Sequence, residues 1–183
     1  PLGLAGPLIF NWEEKSETIY LPVATSEGAL VGSLARGATA ISKSGGVHTE
    51  YLGQRMLRAP LFQCNDLRSA SQLRSWIMAN ERKIKTIAQK ASNYGKLIEL
   101  EPLQYGRDLH VRFIYETADA SGQNMVTACT DSACKWILET LKTQSLIKLE
   151  NYFIESNASV DKKYSFYHLL KGRGSRVHAE AIV

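Results

Sequence analysis

The alternation of apolar and polar positions is clearest in the middle of the chain. Leu109, Val111, Phe113 and Tyr115 recur at every second residue, which places them on one face of a strand. Leu97 to Leu100 alternates in the same way just upstream. The segment Glu101 to Asp108, with Pro102 and Gly106, is expected to join the two as a hairpin. Helical spacing appears on either side. After a strand that starts at Pro60, Asn65 or Asp66 is placed to cap one long helix with Leu67, Ala70, Leu73, Ile77, Ile84, Ile87 and Ala91 on one side. A second helix is expected near Gly122, with Met125, Val126, Cys129, Ala133, Ile137 and Leu141 inward. Trp76 and Trp136 fall in these helices, where core packing is the expected role. Leu146 to Ile154 reads as the last strand, so residues 60–154 have the order β-α-β-β-α-β, the ferredoxin-like pattern.

The flanks are patterned differently. Pro1-Leu-Gly-Leu-Ala-Gly-Pro7 is turn-rich and apolar and reads as a buried loop. Thr18 to Val23 is strand-like, with Pro22 marking its end. A helix rich in Gly and Ala is expected next, capped by Thr25 or Ser26, with Leu30, Leu34, Ala38 and Ile41 at helical spacing. Glu27 falls in its first turn. There the helix dipole favours the charged form, whereas a proton donor needs its pKa raised by burial or a like charge. The residues leave both readings open. Arg58 lies among apolar neighbours and so is expected to pair with a carboxylate, either from a ligand or from a nearby Asp or Glu.

Composition narrows the classes. The 183 residues are 44% hydrophobic and 22% charged, an ordinary globular balance. Basic residues are not interleaved with aromatics, so nucleic acid is not favoured, while a net charge of +4 suits a polyanionic small molecule. The 3 cysteines form no metal or disulfide pattern, which fits a reducing compartment, and a cytoplasmic location is expected. No apolar run has the length of a membrane span. The absence of an initial methionine and the apolar run at the end suggest a piece of a longer protein.

The candidate chemistry lies in two polar loops. Glu155-Ser-Asn-Ala-Ser-Val-Asp-Lys-Lys163 is rich in side chains that compete with the helix backbone, and a loop between ordered segments can aim an ammonium at a developing negative charge. Thr117 to Met125 carries Gly122 at a helix start, where backbone N–H groups can seat a phosphate. It lacks the spacing of a Rossmann fingerprint. For the first, a solvated lysine pair is the plainer alternative, and for the second a capping Asp119 with no ligand.

Taken in order, Pro1-Leu-Gly-Leu-Ala-Gly-Pro7, Thr25-Ser-Glu-Gly-Ala-Leu30, Arg55-Met-Leu-Arg-Ala-Pro60, Asp119-Ala-Ser-Gly-Gln-Asn-Met125, Asp161-Lys-Lys163 and Gly172-Arg-Gly174 make the chain resemble the 3-hydroxy-3-methylglutaryl-coenzyme A (HMG-CoA) reductases. The resemblance implies an α+β fold in which a ferredoxin-like NAD(P)-binding domain (60–154) is inserted into a larger α/β substrate domain. Residues 1–59 would belong to that substrate domain, and 155–183 would carry the lysine loop and the return to it. It implies a four-electron reduction of HMG-CoA to mevalonate and coenzyme A, with NADPH ahead of NADH as cofactor. Lys162 would stabilise the oxyanion and Glu27 would donate a proton. Arg58, Asp161 and Lys163 would hold the hydroxymethylglutaryl part, and Ser33 and Arg36 the coenzyme A. Asp119, Gly122, Gln123 and Asn124 would form the dinucleotide loop, with Ser92, Asn93 and Tyr94 as a second cofactor segment. No metal is implied, and the partner is a second copy of the chain, in a homodimer or higher homo-oligomer.

Some positions depart from the family pattern. Asn93 stands where some members carry arginine, Ala35 replaces a polar contact, Glu155 replaces a small residue, and Tyr167-His-Leu-Leu-Lys171 replaces a tryptophan-containing segment. The family's catalytic aspartate and histidine have no match among residues 1–183; His48, His110, His168 and His178 align with neither. The 183 residues alone are therefore expected not to turn over. The alternative reading is a catalytically incomplete relative that binds coenzyme A or nucleotide, or serves in assembly.

Overall fold

The structure, a computed structural model, describes residues 1–143, 147–161 and 163–183. The chain divides into two compact units: Pro1–Gly53 with Arg176–Val183, and Gln54–Ser175.

The first unit is built on a hairpin of β1 (Leu2–Trp12) and β2 (Lys15–Ala24). The N-terminal segment is thus a strand and not the expected loop. Gly6 and Pro7 fall at a register shift between Ala5 and Leu8. The backbone groups freed there are met by Ser42, whose hydroxyl donates to the Pro7 carbonyl (3.2 Å) and accepts from the Ile9 N–H (2.8 Å). β2 continues past Pro22, which lies opposite Leu4. β2 is the end strand of the order, where a missing N–H donor is tolerated.

Helix α1 (Gly28–Lys43) packs on this hairpin, and β3 (Val47–Arg58) starts parallel to β1, with Phe10–Trp12 opposite Val47–Thr49. The inward face of α1 is only in part the expected one. Leu30 and Leu34 are each 41% exposed, whereas Ala38 is buried and Val31 lies against Gly3, where a Cβ would come within 2.6 Å of it. The absence of a side chain at Gly3 lets the helix approach β1, which turns small residues inward and leaves the leucines on the rim. The turn into β3 needs Gly46 (φ +93°), because a Cβ there would lie 2.8 Å from the Ile9 carbonyl oxygen. β8 (Gly174–Glu180), whose residues from Arg176 onward belong to this unit, pairs with β3.

The second unit contains the core. β4 (Leu61–Cys64), β5 (Lys96–Tyr105), β6 (Asp108–Glu116) and β7 (Leu149–Phe153) form an antiparallel array in the order β5-β6-β4-β7. The last residues of β3, Met56–Arg58, extend it along β6. Leu109, Val111, Phe113 and Tyr115 all face one side and are fully buried beneath α2 (Leu67–Ala79), α3 (Glu81–Gln89) and α4 (Gln123–Thr143). Burial of side chains of this size contributes about 1.5–3 kcal/mol each. Asp66 caps α2 by accepting from the Ser69 N–H. Trp76 and Trp136 stack at 5.7 Å, half-buried against the core.

Two expectations change here. The single long helix is broken at Asn80, whose side-chain amide donates to the Trp76 carbonyl (2.8 Å) and competes with the helix ladder. The hairpin is also tighter than expected: β5 runs through Pro102, opposite Val111, to Tyr105, and the turn is Gly106-Arg107. Among the described residues β5 pairs only with β6, so Pro102 leaves no central ladder bond unmade. Of the expected last strand, residues 149–153 form β7, and Leu146 lies outside the described residues.

Ile114, between Phe113 and Tyr115 on β6, belongs to a second cluster with Leu57 and Ala59, against which Ile98, Ala158 and Tyr167 pack. Ala158 belongs to a 3-10 turn (Asn157–Ser159), and Tyr167 to α5 (Phe166–Lys171). This packing positions the loop at Glu155–Asp161.

Candidate functional site

Ser156 anchors the loop at its start. Its hydroxyl donates to the Ala59 carbonyl (2.6 Å) and therefore accepts from His110 Nδ1 (2.8 Å). Burial holds the His110 pKa below the ordinary imidazole value. Arg112 donates from Nε to the Ala158 carbonyl (2.9 Å), and its guanidinium lies 3.8 Å from the centre of the Tyr167 ring. The Tyr167 hydroxyl donates to Glu101 (2.7 Å). Arg55 binds Glu99 (2.7 Å) beside it and holds Glu99 below the usual carboxylate range. The loop thus rests on a polar network on β5 and β6, and its 3-10 turn ends at Val160 in the left-handed region (φ 50°).

Arg58, at the end of β3, faces what this loop presents. Its Nε donates to Thr127 Oγ1 (2.7 Å) and its Nη2 to the Gln123 carbonyl (3.3 Å), both on α4. Nη1 reaches Glu155 (3.2 Å) and Asp161 (3.4 Å). Asp161 also accepts from the Gln123 side chain (3.1 Å) and from Arg173. Burial first, and then the nearby Arg58, hold the Arg173 pKa below the ordinary arginine value. Arg58 and Asp161 are therefore brought together, joined by the loop glutamate and by α4.

The start of α4 forms a concavity of about 340 Å³ lined by Ala120, Ser121, Gly122, Gln123, Asn124 and Met125. Gly122 has φ +78°, and a Cβ on it would overlap the Thr117 side chain, so only glycine fits. The Ser92–Tyr94 turn lies against the same helix end: Ser92 Oγ accepts from the N–H groups of Tyr94 and Gly95 (both 3.1 Å), and a Cβ on Gly95 would sit 3.2 Å from Met125 Sδ. Asp119, Asn93, Tyr94 and Asn124 are exposed. Gln123 belongs to both neighbourhoods: it lines the concavity, and its side-chain amide donates to Asp161.

The remaining residues stand as follows. Glu27 is the N-cap of α1, in extended conformation, not a first-turn residue, and its side chain makes no capping bond. The expected cap Thr25 instead accepts from the Glu27 N–H (3.0 Å), closing a turn before the helix. Glu27, Ser33 and Arg36 are exposed on the first unit. Lys163 is exposed, and Lys162 lies outside the described residues. Arg173 and Thr127 are contacts that sequence reasoning missed. Arg173 stands in the Gly-Arg-Gly stretch, but nothing in its spacing points to Asp161. Thr127 differs in no visible way from any polar helix residue.

A family model described as hydroxymethylglutaryl-coenzyme A reductase matches residues 1–183. The chain belongs to this family. It is 41% identical to the 3-hydroxy-3-methylglutaryl-coenzyme A reductase of Methanocaldococcus jannaschii over 184 aligned positions, covering 100% of this chain and 45% of that one. The chain thus spans under half the length of that relative. Among solved structures it is similar to 3-hydroxy-3-methylglutaryl-coenzyme A reductase of Streptococcus pneumoniae, with a TM-score of 0.62 and 22% identity over 98% of this chain and 44% of that one. A second structure, the class II enzyme of the same organism bound to NADPH, gives a TM-score of 0.59 and 21% identity over 82% of this chain and 42% of that one. The fold of this HMG-CoA reductase family member is the mixed α+β fold of those structures.

Proposed function

We propose that the protein reduces HMG-CoA to mevalonate and coenzyme A at the expense of NADPH. The observation that carries this reading is the family match across residues 1–183, which includes Glu27, Arg58, the Asp161-Lys-Lys163 stretch and the Gly122 loop. Residues 60–154 are read as a ferredoxin-like NAD(P)-binding domain. The antiparallel order β5-β6-β4-β7 beneath α2, α3 and α4 supports that reading.

The cofactor, when bound, supplies hydride. The residues fit such a group: the N–H groups at the start of α4 and the positive end of its dipole suit a pyrophosphate, and the concavity there is lined by Gly122, whose positive φ and closeness to Thr117 require a glycine. Asp119, Gly122, Gln123 and Asn124 would hold the dinucleotide, with Ser92, Asn93 and Tyr94 beside them. Arg58, Asp161 and Lys163 would hold the hydroxymethylglutaryl part, and Ser33 and Arg36 the coenzyme A. Lys162 stabilises the oxyanion that forms on the thioester carbonyl, a role worth on the order of 3 kcal/mol for one well-placed donor. Glu27 donates a proton to the aldehyde-level oxygen. The aspartate and histidine that complete this chemistry would come from chain outside residues 1–183. A homodimer in the cytoplasm is part of the same reading. No helix among the described residues is long and apolar enough to cross a membrane.

The test uses the full-length natural protein with HMG-CoA and either NADPH or NADH, following loss of nicotinamide absorbance. Oxidation with NADPH that disappears in Lys162→Ala is expected. A folded protein that oxidises neither cofactor would instead be a relative that only binds coenzyme A or nucleotide.

A further inference from the structure

Arg58 is oriented without help from Glu155. Its Nε is fixed by Thr127, its Nη2 by the Gln123 carbonyl, and its Nη1 already reaches Asp161. Glu155 adds a second carboxylate to Nη1 at 3.2 Å. The Arg58 side chain is 11% exposed and that of Glu155 34%, so Glu155 covers the guanidinium from the more open side. Its other oxygen accepts from the Ser156 N–H (3.0 Å), which holds the carboxylate in place within the loop. Arg58 and Arg173 are thus paired with Asp161 and Glu155, and a ligand carboxylate arriving at Arg58 meets a guanidinium that already carries two carboxylate contacts.

We propose that Glu155 is a specificity-determining residue: it occupies on Arg58 the place a ligand carboxylate would take and weakens the binding of carboxylate-bearing ligands. The proposal rests on the reading that Arg58 holds the hydroxymethylglutaryl part of the substrate. The competing role, a clamp that positions Arg58, predicts the opposite sign. Removal of a clamp would loosen the guanidinium and weaken carboxylate binding, whereas removal of a competitor tightens it. The existing bonds to Thr127, Gln123 and Asp161 favour the competitor.

The experiment is calorimetric titration of the full-length natural protein and its Glu155→Gln and Glu155→Ser variants with free 3-hydroxy-3-methylglutarate, and separately with free coenzyme A. The variants are expected to bind the dicarboxylate about fivefold more tightly, the scale of one partly exposed charge pair. Their affinity for coenzyme A should be unchanged, and the gain should shrink at high salt. Equal or weaker dicarboxylate binding by the variants, equal tightening toward coenzyme A, or no binding by any of the proteins overturns the proposal. Thermal melts establish that the variants fold, and either substitution suffices for the comparison. NADPH oxidation by the wild type in the same samples tests the reductase reading separately. Tightening without turnover removes that reading and keeps this one, while turnover without tightening does the reverse.

Discussion

Replacement of Arg58 by lysine separates charge from geometry. Lysine keeps the positive charge near Asp161 and Glu155 but cannot span the guanidinium's contacts, which leave through three nitrogens toward α4 and the loop. The Thr127 bond is short and charge-assisted, worth about 1.5 kcal/mol, and the longer Gln123 contact adds about 0.5 kcal/mol. The two carboxylate contacts are long and partly open to water, so each is worth only about 0.5 kcal/mol. Arg58→Met should therefore destabilise the fold by about 3 kcal/mol, less the relief of Arg173, which Arg58 repels. Arg58→Lys should recover about a third of the loss by keeping the carboxylates paired. The assay is urea denaturation of the full-length protein followed by tryptophan fluorescence, to which the Trp76–Trp136 stack contributes from the same unit. An Arg58→Lys variant within about 0.5 kcal/mol of wild type would refute the geometric argument and leave charge alone as the stabilising factor.

Gly122→Ala places a Cβ into Thr117 at a φ of +78°, so it should lower stability by about 1–3 kcal/mol and weaken NADPH binding together. Thermal melts with and without NADPH would show both losses, and an unshifted melt would contradict the steric reading. His110 is favoured in its neutral form by burial, with its folded pKa depressed, so the unfolded chain takes up the proton first as pH falls. Its contribution is complete above the ordinary imidazole value of about 6.5 and is lost as pH drops through the lower folded value. His110→Asn should therefore flatten the dependence of melting temperature on pH below about 6.5, and an unchanged slope would assign that dependence elsewhere.

Much of the second unit was legible in the chain because its pattern is strong and local. Leu109, Val111, Phe113 and Tyr115 carry the period of a strand with one buried face, and α4 carries a continuous apolar stripe; both lie where the periodicity puts them. The resemblance, too, rests on short local stretches, and the family match covers all of them. The misreadings share a cause. The break at Asn80 depends on one side chain competing for one carbonyl, and the strand through Pro102 depends on β5 having a single partner among the described strands. The place of Val31 on the inward face of α1, in front of the larger leucines, depends on Gly3 in another element.

By itself, then, the sequence determined the periodic elements, their order, the family, and the expectation that Arg58 meets a carboxylate. Only the tertiary structure decided which carboxylates those are. Glu155 and Asp161 lie 97 and 103 residues from Arg58, and Arg173, which shares Asp161, has no periodic relation to either. The physical reason is that periodicity records which face of an element is dry. The pairing of charges is set by where β6 and α4 bring distant segments together, and no local pattern encodes that.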